Sequence, residues 1–289
     1  MLNVYETVRS GLFFNKFELG DLLFVEYNCP VAEQFLPIWT PCDYVIHVLT
    51  GKKAWRSLNQ SWTAEAGQSF YIKKGAYLIE QFFEEEFCML LFFVTDDFIC
   101  DTVRLHAGIP KPPLNHAKQQ VIEIHHNVLL ASFFQSMLSY FAQKERPTES
   151  LLRLKFRELL LHVLQSSENQ PLANYLRSRH RGERPVISEV MDQHFCFNLK
   201  LTEFAQLTGR SLSAFKRDFR QQYGMSPGKW IRERRLAYAA SLLQSCDLNV
   251  TEVSLQCGFE HISVFSRTFK QATGMTPSQF RKLSESSKN

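Results

Sequence analysis

The stretch that decides the fold of the C-terminal part is GMSPGKW at residues 224–230, because it recurs as GMTPSQF at residues 274–280. Upstream of both copies, three further residues repeat at the same offset, pairing Phe215 with Phe265, Arg217 with Arg267, and Phe219 with Phe269. Still earlier, Thr202-Glu203 and Gly209 match Thr251-Glu252 and Gly258 at an offset of 49 residues instead of 50. Self-similarity at a fixed period indicates a duplicated structural unit.

Each copy has the pattern of two helices joined by a short turn. In the first copy, residues 201–208 predict a helix that ends at Gly209, and Ser211 is a suitable cap for the next helix. In the second copy, Asn249 and Glu252 have the spacing of a capping box. Two helices joined by a short glycine-containing turn form a helix-turn-helix unit, so the sequence predicts two such units.

The second helix of each unit, at about residues 211–223 and 261–273, combines an apolar stripe with a polar outer face. The stripes contain Leu212, Phe215 and Phe219 in the first copy, and Ile262, Phe265 and Phe269 in the second. The outer faces supply candidate contacts to DNA bases, namely Ser213, Lys216, Arg217, Ser263, Ser266 and Arg267. Arg can pair with both acceptors of guanine in the major groove. A lone polar helix face is usually only solvated, but two matched copies favour DNA recognition in successive major grooves about 34 Å apart.

Further basic residues are candidates for phosphate contacts, namely Arg220, Lys229, Arg232 and Lys270. A helix from about residue 227 to 243 lies between the two units, and Pro227 fits its first turn. Its apolar residues are expected to hold the units at a fixed separation. Its Arg cluster at residues 232–235 is expected to contact phosphates or the N-terminal domain.

The charge distribution agrees with a nucleic-acid partner for the C-terminal part. Residues 188–289 contain 14 Lys and Arg against 9 Asp and Glu, whereas the whole chain of 289 residues has a net charge of only +4. The preceding part is therefore slightly acidic. Such an asymmetry between two parts of a chain is typical of a basic DNA-binding domain joined to another domain, although by itself it is a weak signal.

The N-terminal part has the pattern of a small β-barrel or sandwich followed by helices, so the fold class is α+β. Short apolar runs separated by Gly51, Gly67 and Gly75 predict strands at residues 21–27, 43–49, 69–72, 77–82 and 87–94. Apolar residues at helical spacing from Leu130 to Phe141 then predict a helix, and Thr148 can cap a second helix that extends to about Gln165.

That second helix is apolar on more than one face, which leaves two interpretations open. Its leucines can belong to the domain core, which is the favoured interpretation, or to a homodimer interface formed by Leu152, Phe156, Leu160 and Leu164. The expected domains are residues 1–178, with the barrel at about 1–105 and helices at about 116–178, then a linker at 179–187 and the DNA-binding domain at 188–289.

The pattern from Asn249 to Arg281, including Gly258-Phe259, Phe265-Ser266-Arg267 and Gly274-Met275-Thr276-Pro277, resembles the signature of the AraC/XylS transcription regulators. The resemblance implies a regulator, usually an activator, that binds asymmetric promoter sites and engages RNA polymerase. The N-terminal layout is similar to a cupin-like sensor barrel, and most similar to the type III secretion regulators related to the exoenzyme S activator. In that subgroup, the resemblance implies control by a protein partner; a small-molecule effector in the barrel is the alternative.

An enzyme of the cupin type is the competing interpretation, and the sequence gives it little support. A metal cupin needs closely spaced His residues and a carboxylate, yet His47 is the single His before Leu105. We therefore expect no enzymatic activity, no cofactor and no metal, and we interpret His47 as a hydrogen-bonded residue of the core or of a pocket. Aromatic residues such as Trp39, Trp55, Trp62, Tyr71 and Tyr77 are expected mainly in the core, with a ligand pocket as the minority interpretation.

The seven cysteines have no paired spacing, and no stretch is long and apolar enough for a membrane span. The first residues do not have the pattern of a signal peptide. A cytoplasmic location is therefore expected, without a membrane partner.

Overall fold

The structure is a computed structural model, and it describes residues 1–12, 14–20, 22–28, 33–105, 119–143, 145–180 and 184–286. The chain divides into two compact units, Leu2–Arg184 and Pro185–Asn289. The division falls within the expected linker at residues 179–187. Over the described residues, every helix is too short or too polar to cross a lipid bilayer.

The N-terminal unit combines two β-sheets with five helices over its described residues. In chain order the elements are β1 (Leu2–Asn3), α1 (Val4–Ser10), β2 (Asn15–Leu19), β3 (Leu22–Asn28), β4 (Phe35–Thr40), β5 (Asp43–Thr50), β6 (Lys52–Arg56), β7 (Ser61–Glu65), β8 (Ser69–Ile72), β9 (Gly75–Gln81), β10 (Cys88–Val94), α2 (Asp96–Leu105), β11 (Val121–Ile124), α3 (Val128–Ala142), α4 (Glu149–Gln165) and α5 (Gln170–His180). One sheet has the order β1-β4-β9-β6-β7, and the other has the order β11-β8-β5-β10-β3-β2.

The two sheets enclose an apolar core, which confirms the sheet-rich N-terminal domain. Ile38 and Trp55 from the five-stranded sheet pack with Val25, Ile46 and Leu91 from the six-stranded sheet. The five predicted strands are all present, with β8 at the predicted bounds and the others shifted by one or two residues at an end.

A second core lies between the six-stranded sheet and the helices α3, α4 and α5. The ring of Phe24 meets that of Phe156 edge-on, with 5.5 Å between their centroids, and Phe92 contacts Phe133 in the same cluster. The predicted stripe on α3 is confirmed, since Leu130, Phe133, Phe134, Met137 and Phe141 are buried. The side chain of Thr148 accepts a hydrogen bond from the backbone N–H of Leu151, as expected for the cap of α4.

The structure corrects the prediction of a dimer interface on α4, because all four side chains of that interface lie in this core. Leu152 and Phe156 are 0% exposed, and Leu160 and Leu164 are 2% exposed. Apolar residues of α4 cover more than half of its circumference because the helix packs between the sheet and neighbouring helices. The apolar residues that α4 leaves outside are Leu151 and Leu154, which are 37% and 60% exposed.

Two boundaries of the N-terminal unit differ from the sequence prediction. The segment at residues 116–178 was expected to be helical, but Val121–Ile124 forms the strand β11, which pairs with β8 at the edge of a sheet. Its short β-branched run suits an edge strand. Helix α5 extends to His180, so Arg179 belongs to the helix rather than to the linker, and its guanidinium forms an ion pair with Asp96.

The C-terminal unit consists of helices over its described residues. They are α6 (Ile187–His194), α7 (Leu201–Leu207), α8 (Leu212–Tyr223), α9 (Pro227–Ser245), α10 (Val250–Gln256), α11 (Ile262–Thr273) and α12 (Pro277–Ser286). The pairs α7–α8 and α10–α11 occupy the positions of the two predicted helix-turn-helix units, and α9 lies between them in the chain. The α+β fold class is therefore confirmed.

Candidate DNA-binding site

The first helix-turn-helix unit is defined by its caps and its glycine turn. The side chain of Ser211 accepts a hydrogen bond of 3.2 Å from the backbone N–H of Ala214, so Ser211 caps α8 as predicted. Gly209 has a φ of 63°, a left-handed conformation that favours glycine. At the start of α7, Lys200 offers no capping oxygen, but the carboxylate of Glu203 accepts its backbone N–H at 2.6 Å. That bond satisfies one backbone donor at the start of α7.

The second unit repeats the arrangement with a complete capping box. The side chain of Asn249 accepts from the backbone N–H of Glu252 at 2.9 Å, and the carboxylate of Glu252 accepts from the backbone N–H of Asn249 at 2.7 Å. Gly258 closes α10 with a φ of 79°. A Cβ atom at this position would lie 2.1 Å from the carbonyl oxygen of Cys196, so the turn approaches the backbone before α7 closely.

The outer face of α8 has the predicted composition. Phe215 and Phe219 are fully buried, whereas Ser213, Lys216, Arg217 and Arg220 are exposed. The side chain of Arg217 is 75% exposed, and it forms an ion pair of 3.0 Å with the neighbouring Asp218. Because an exposed pair of this kind is worth little, the guanidinium of Arg217 can exchange it for a DNA contact.

The outer face of α11 agrees with the prediction in part. Ser263, Arg267 and Lys270 are exposed, but Ser266 is half-buried. The prediction that Ile262 faces inward is wrong, since its side chain is 45% exposed. Ile262 lies in the first turn of α11, before the helix reaches the core around Phe265 and Phe269. The assignments of base and phosphate contacts stay predictions.

Helix α9 packs against both units, which makes it the spacer that the sequence indicated. On the first unit, the ring of Trp230 meets the ring of Phe219 edge-on with 6.0 Å between centroids. Just before that unit, Tyr238 packs on Phe195 at the end of α6. On the second unit, Leu236, Ala239, Leu242 and Leu243 share a core with Phe265 and Phe269. Buried contacts on both sides restrain the relative positions of α8 and α11.

The Arg cluster of α9 is divided between internal and external roles. Arg235 is half-buried, and its guanidinium donates to the carbonyl oxygens of Phe195 at 2.6 Å, Gly258 at 2.6 Å and Phe197 at 2.9 Å. The expectation that Arg235 contacts a phosphate is therefore wrong, because its donors are used to join the two units. Burial lowers the pKa of Arg235 from its ordinary value. Arg232 and Lys229 are exposed on the same helix and stay phosphate-contact candidates.

The N-terminal unit contains a cavity of about 70 Å³ between its two sheets. Its walls are apolar except for a few groups, among them the hydroxyl of Tyr44, which accepts a hydrogen bond of 3.0 Å from Trp55. The side chain of Lys53 also lines the cavity and is 4% exposed, with its ammonium 4.2 Å from the ring centroid of Phe87. Of the aromatic residues that the sequence suggested for a pocket, Trp55 lines this cavity. Tyr71 instead donates its hydroxyl to Asp43 at 2.7 Å.

His47 lies outside that cavity, in a small polar cluster against helix α3. Its Nδ1 atom is 2.9 Å from the hydroxyl oxygen of Ser69, and the Nε2 atom of His126 is 2.7 Å from the same oxygen. The ring of His47 stacks on Phe134 at 4.2 Å. Burial, together with the proximity of His126, lowers the pKa of His47 to about 4. Burial also lowers the pKa of His126 from its ordinary value, so both imidazoles are neutral near pH 7. The described residues contain no group of three or more metal-ligating side chains.

Comparison with known proteins agrees with both parts of this description. Residues 43–175 match the ExsA N-terminal regulatory domain, and residues 204–283 match a helix-turn-helix domain. The virulence regulon transcriptional activator VirF of Yersinia enterocolitica is 28% identical over 252 residues, which cover 83% of this chain and 89% of that protein. The transcriptional regulator ExsA of Pseudomonas aeruginosa is 31% identical over 153 residues, which cover 53% of this chain and 54% of that protein.

Among solved structures, ToxT from Vibrio cholerae is 13% identical, with a TM-score of 0.40 over 90% of this chain and 98% of that chain. The chain belongs to the AraC/XylS family of DNA-binding transcription regulators, and its N-terminal part matches the regulatory domain named after ExsA.

Proposed function

We propose that this chain activates transcription by reading an asymmetric promoter site with α8 and α11 in successive major grooves. The observation that supports this proposal best is the matched pair of exposed faces, in which Ser213 and Arg217 correspond to Ser263 and Arg267. Exposed Arg and Ser side chains on two similar helices suit hydrogen bonding to base edges. Joined through α9, the two helices form one reading surface with a fixed spacing.

The phosphate contacts in this proposal come from Arg220, Lys229, Arg232 and Lys270, all exposed. Lys and Arg contacts to phosphates supply affinity and orientation but carry little sequence information. Ser266, being half-buried, and Lys216 complete the set of base-contact candidates. The chain thereby binds double-stranded promoter DNA and recruits RNA polymerase there. Because promoter DNA lies in the bacterial cytoplasm, the proposal places the protein there. The proposed role is regulatory and not enzymatic.

The N-terminal unit is proposed to control this activity and to form a homodimer. Dimerisation would raise the effective concentration of the second DNA-binding unit. With Leu152, Phe156, Leu160 and Leu164 in the core, a dimer surface must use other residues, and Leu151 and Leu154 on the outside of α4 are available. The name of the matched regulatory domain supports a regulatory role for residues 43–175.

Two kinds of signal are compatible with this control. A basic protein partner could bind the exposed residues 84–86, which are three consecutive Glu. A small ligand could instead occupy the cavity near Tyr44 and Lys53, and the apolar walls favour a mostly apolar molecule. Native mass spectrometry on protein gently purified from its own cells separates these two. An added mass of a few hundred daltons supports the ligand, and a co-purifying polypeptide supports the partner.

DNA reading is tested by selecting binding sites from random DNA with the full chain, followed by titration of single variants. Arg267→Ala should cost about 1–3 kcal/mol on the selected site and much less on random DNA, because a base contact is lost. Lys270→Ala should weaken binding similarly on both and reduce the salt slope by about one. Equal losses for Arg267→Ala on both DNAs would make it a phosphate contact, and no loss on either would refute its role.

A further inference from the structure

The two proposed recognition helices share most of their outer face. At the offset of 50 residues, α8 and α11 have the same side chain at three outward positions, pairing Ser213 with Ser263, Arg217 with Arg267, and Gln221 with Gln271. All six of these residues are exposed. Differences between the DNA sequences that the two helices read must therefore come from the remaining outward positions.

One of these positions differs in a way that matters for DNA. Ala214 of α8 is half-buried, whereas its counterpart in α11 is Val264, which is 40% exposed. Residues three and seven positions apart share one face of a helix, so the isopropyl group of Val264 lies beside Arg267 and Gln271. Helix α11 consequently presents an apolar group within its polar reading face, and α8 presents only a methyl group there.

Burial in the core does not account for this valine, which is 40% exposed and lines an open groove with Ile231 and Phe259. The core cluster that contains Phe265 and Phe269 is formed by other side chains from α9, α10 and α11, and Val264 is not one of them. A β-branched residue is also slightly unfavourable in a helix, because its side-chain rotamers are restricted. An exposed valine on a recognition helix has a direct use, however. In the major groove, the 5-methyl group of thymine is the base feature that apolar side chains recognise.

We infer that Val264 contacts the 5-methyl group of a thymine next to the base that Arg267 reads. The half-site of α11 then requires a thymine at a position where the half-site of α8 does not. This inference rests on the proposed function, since it assumes that α11 lies in the major groove. It assigns one part of the asymmetry of the DNA site to Ala214 and Val264, beside the difference between Lys216 and Ser266.

Replacement of thymine by deoxyuracil provides the test, because it removes only the methyl group. The full chain is first used to select its site from random DNA. The half-site of α11 is the part of the selected site at which Arg267→Ala changes binding. Each thymine in this half-site is then replaced in turn by deoxyuracil. One replacement should lower the affinity of the unaltered protein about fourfold, the amount expected for one buried methyl group. Val264→Ala should bind the thymine and deoxyuracil sites equally well.

Ile262→Ala is the matched control, because Ile262 is also an exposed apolar residue of α11, at 45% exposure. Two positions along a helix correspond to about 160° around its axis, so Ile262 lies on a different side from Val264. This variant should retain the fourfold discrimination between thymine and deoxyuracil. A loss of discrimination in both variants would indicate a general disturbance of α11 and would overturn the assignment to Val264.

The remaining outcomes are also decisive. If the unaltered protein binds every deoxyuracil site as tightly as the thymine site, or if Val264→Ala still discriminates, the inference is wrong while DNA reading by α11 stands. If the α11 half-site contains no thymine, the inference is wrong in the same way. If no site is selected from random DNA at all, the proposed function itself fails, and this inference fails with it.

Discussion

The guanidinium of Arg235 donates a hydrogen bond of 2.6 Å to the carbonyl oxygen of Gly258, and so connects the spacer helix α9 to the turn of the second helix-turn-helix unit. The same guanidinium also donates to Phe195 and Phe197, which precede the first unit. One side chain thereby binds two carbonyl groups of the segment before the first unit and one carbonyl group of the second unit. We conclude that Arg235 helps to fix the distance between the two proposed recognition helices.

Replacing Arg235 should therefore weaken the C-terminal unit and its DNA binding together. Arg235→Met removes three charge-assisted hydrogen bonds, which should cost about 2–4 kcal/mol of stability. Hydrogen exchange of α8 and α11 in the full chain measures this loss. Arg234→Met is the control, since Arg234 is exposed and its guanidinium forms an ion pair of 3.5 Å with Asp192 and lies 5.7 Å from the ring centroid of Phe195, without a hydrogen bond to either helix-turn-helix unit among the described contacts. Equal protection in Arg235→Met and Arg234→Met would contradict the role of Arg235.

The turn at Gly258 should not accept any side chain. Gly258 and Gly274 both have a φ of 79°. A Cβ atom at Gly258 would lie 2.1 Å from the carbonyl oxygen of Cys196, whereas a Cβ atom at Gly274 would have no neighbouring heavy atom within 4 Å among the described residues. Gly274→Ala should thus lose only about 1–2 kcal/mol from the left-handed conformation. Gly258→Ala should lose clearly more, because the backbone at Cys196 must move. Thermal unfolding of the two variants compares them, and similar midpoints would show that this close approach is unimportant.

The core position of Leu160 leads to a prediction about folding rather than assembly. Leu160→Glu places an unpaired charge in the core between the sheet and α4, so the N-terminal unit should lose its cooperative unfolding transition. Leu154→Glu changes the same helix at a position that is 60% exposed, and it should keep the fold. Circular dichroism and urea unfolding distinguish the two. A folded but monomeric Leu160→Glu protein would restore the interface interpretation that the structure has replaced.

Local patterns explain why much of the C-terminal unit could be predicted from sequence. Caps such as Ser211 and Asn249, and turns such as Gly209 and Gly258, act within a few residues of their own position. The internal repeat then confirms each of them a second time. The helix-turn-helix units and their outer faces depend mainly on such short-range signals.

Long-range contacts explain what the sequence could not reveal. Arg235 looks like any other Arg of a basic helix until the carbonyls of Phe195 and Gly258 are placed beside it. Leu160 looks equally suited to a core or an interface, since both need an apolar side chain. Strand β11 is short, and its pairing with β8 brings together residues about 50 positions apart. None of these partners can be identified from periodicity alone.

Acid should destabilise the C-terminal unit through His194, which is 2% exposed. Burial lowers the pKa of His194 to about 3 from 6.5, so the folded protein holds the imidazole neutral. Because the unfolded chain binds the proton more readily, stability from this group is complete above about pH 6.5 and falls as the pH decreases toward 3. The loss at pH 5 relative to pH 7 should be about 2 kcal/mol.

His194→Leu removes this titration and should flatten the pH dependence of hydrogen exchange in α6 to α8 between pH 7 and 5, after correction for the intrinsic exchange rate. His261→Asn is the control, since His261 is exposed, and it should retain the pH dependence of the unaltered protein. An unchanged pH dependence in His194→Leu would mean that the imidazole is not held neutral by burial.

The most direct test of the account is site selection from random DNA with the full chain and with Arg217→Ala and Arg267→Ala separately. If α8 and α11 read successive major grooves, the unaltered protein should select two boxes about 10 base pairs apart. Arg217→Ala should then erase information in one box alone, and Arg267→Ala in the other alone. Loss of the same positions by both variants, or a single box without a second one at this spacing, would contradict reading by two helices.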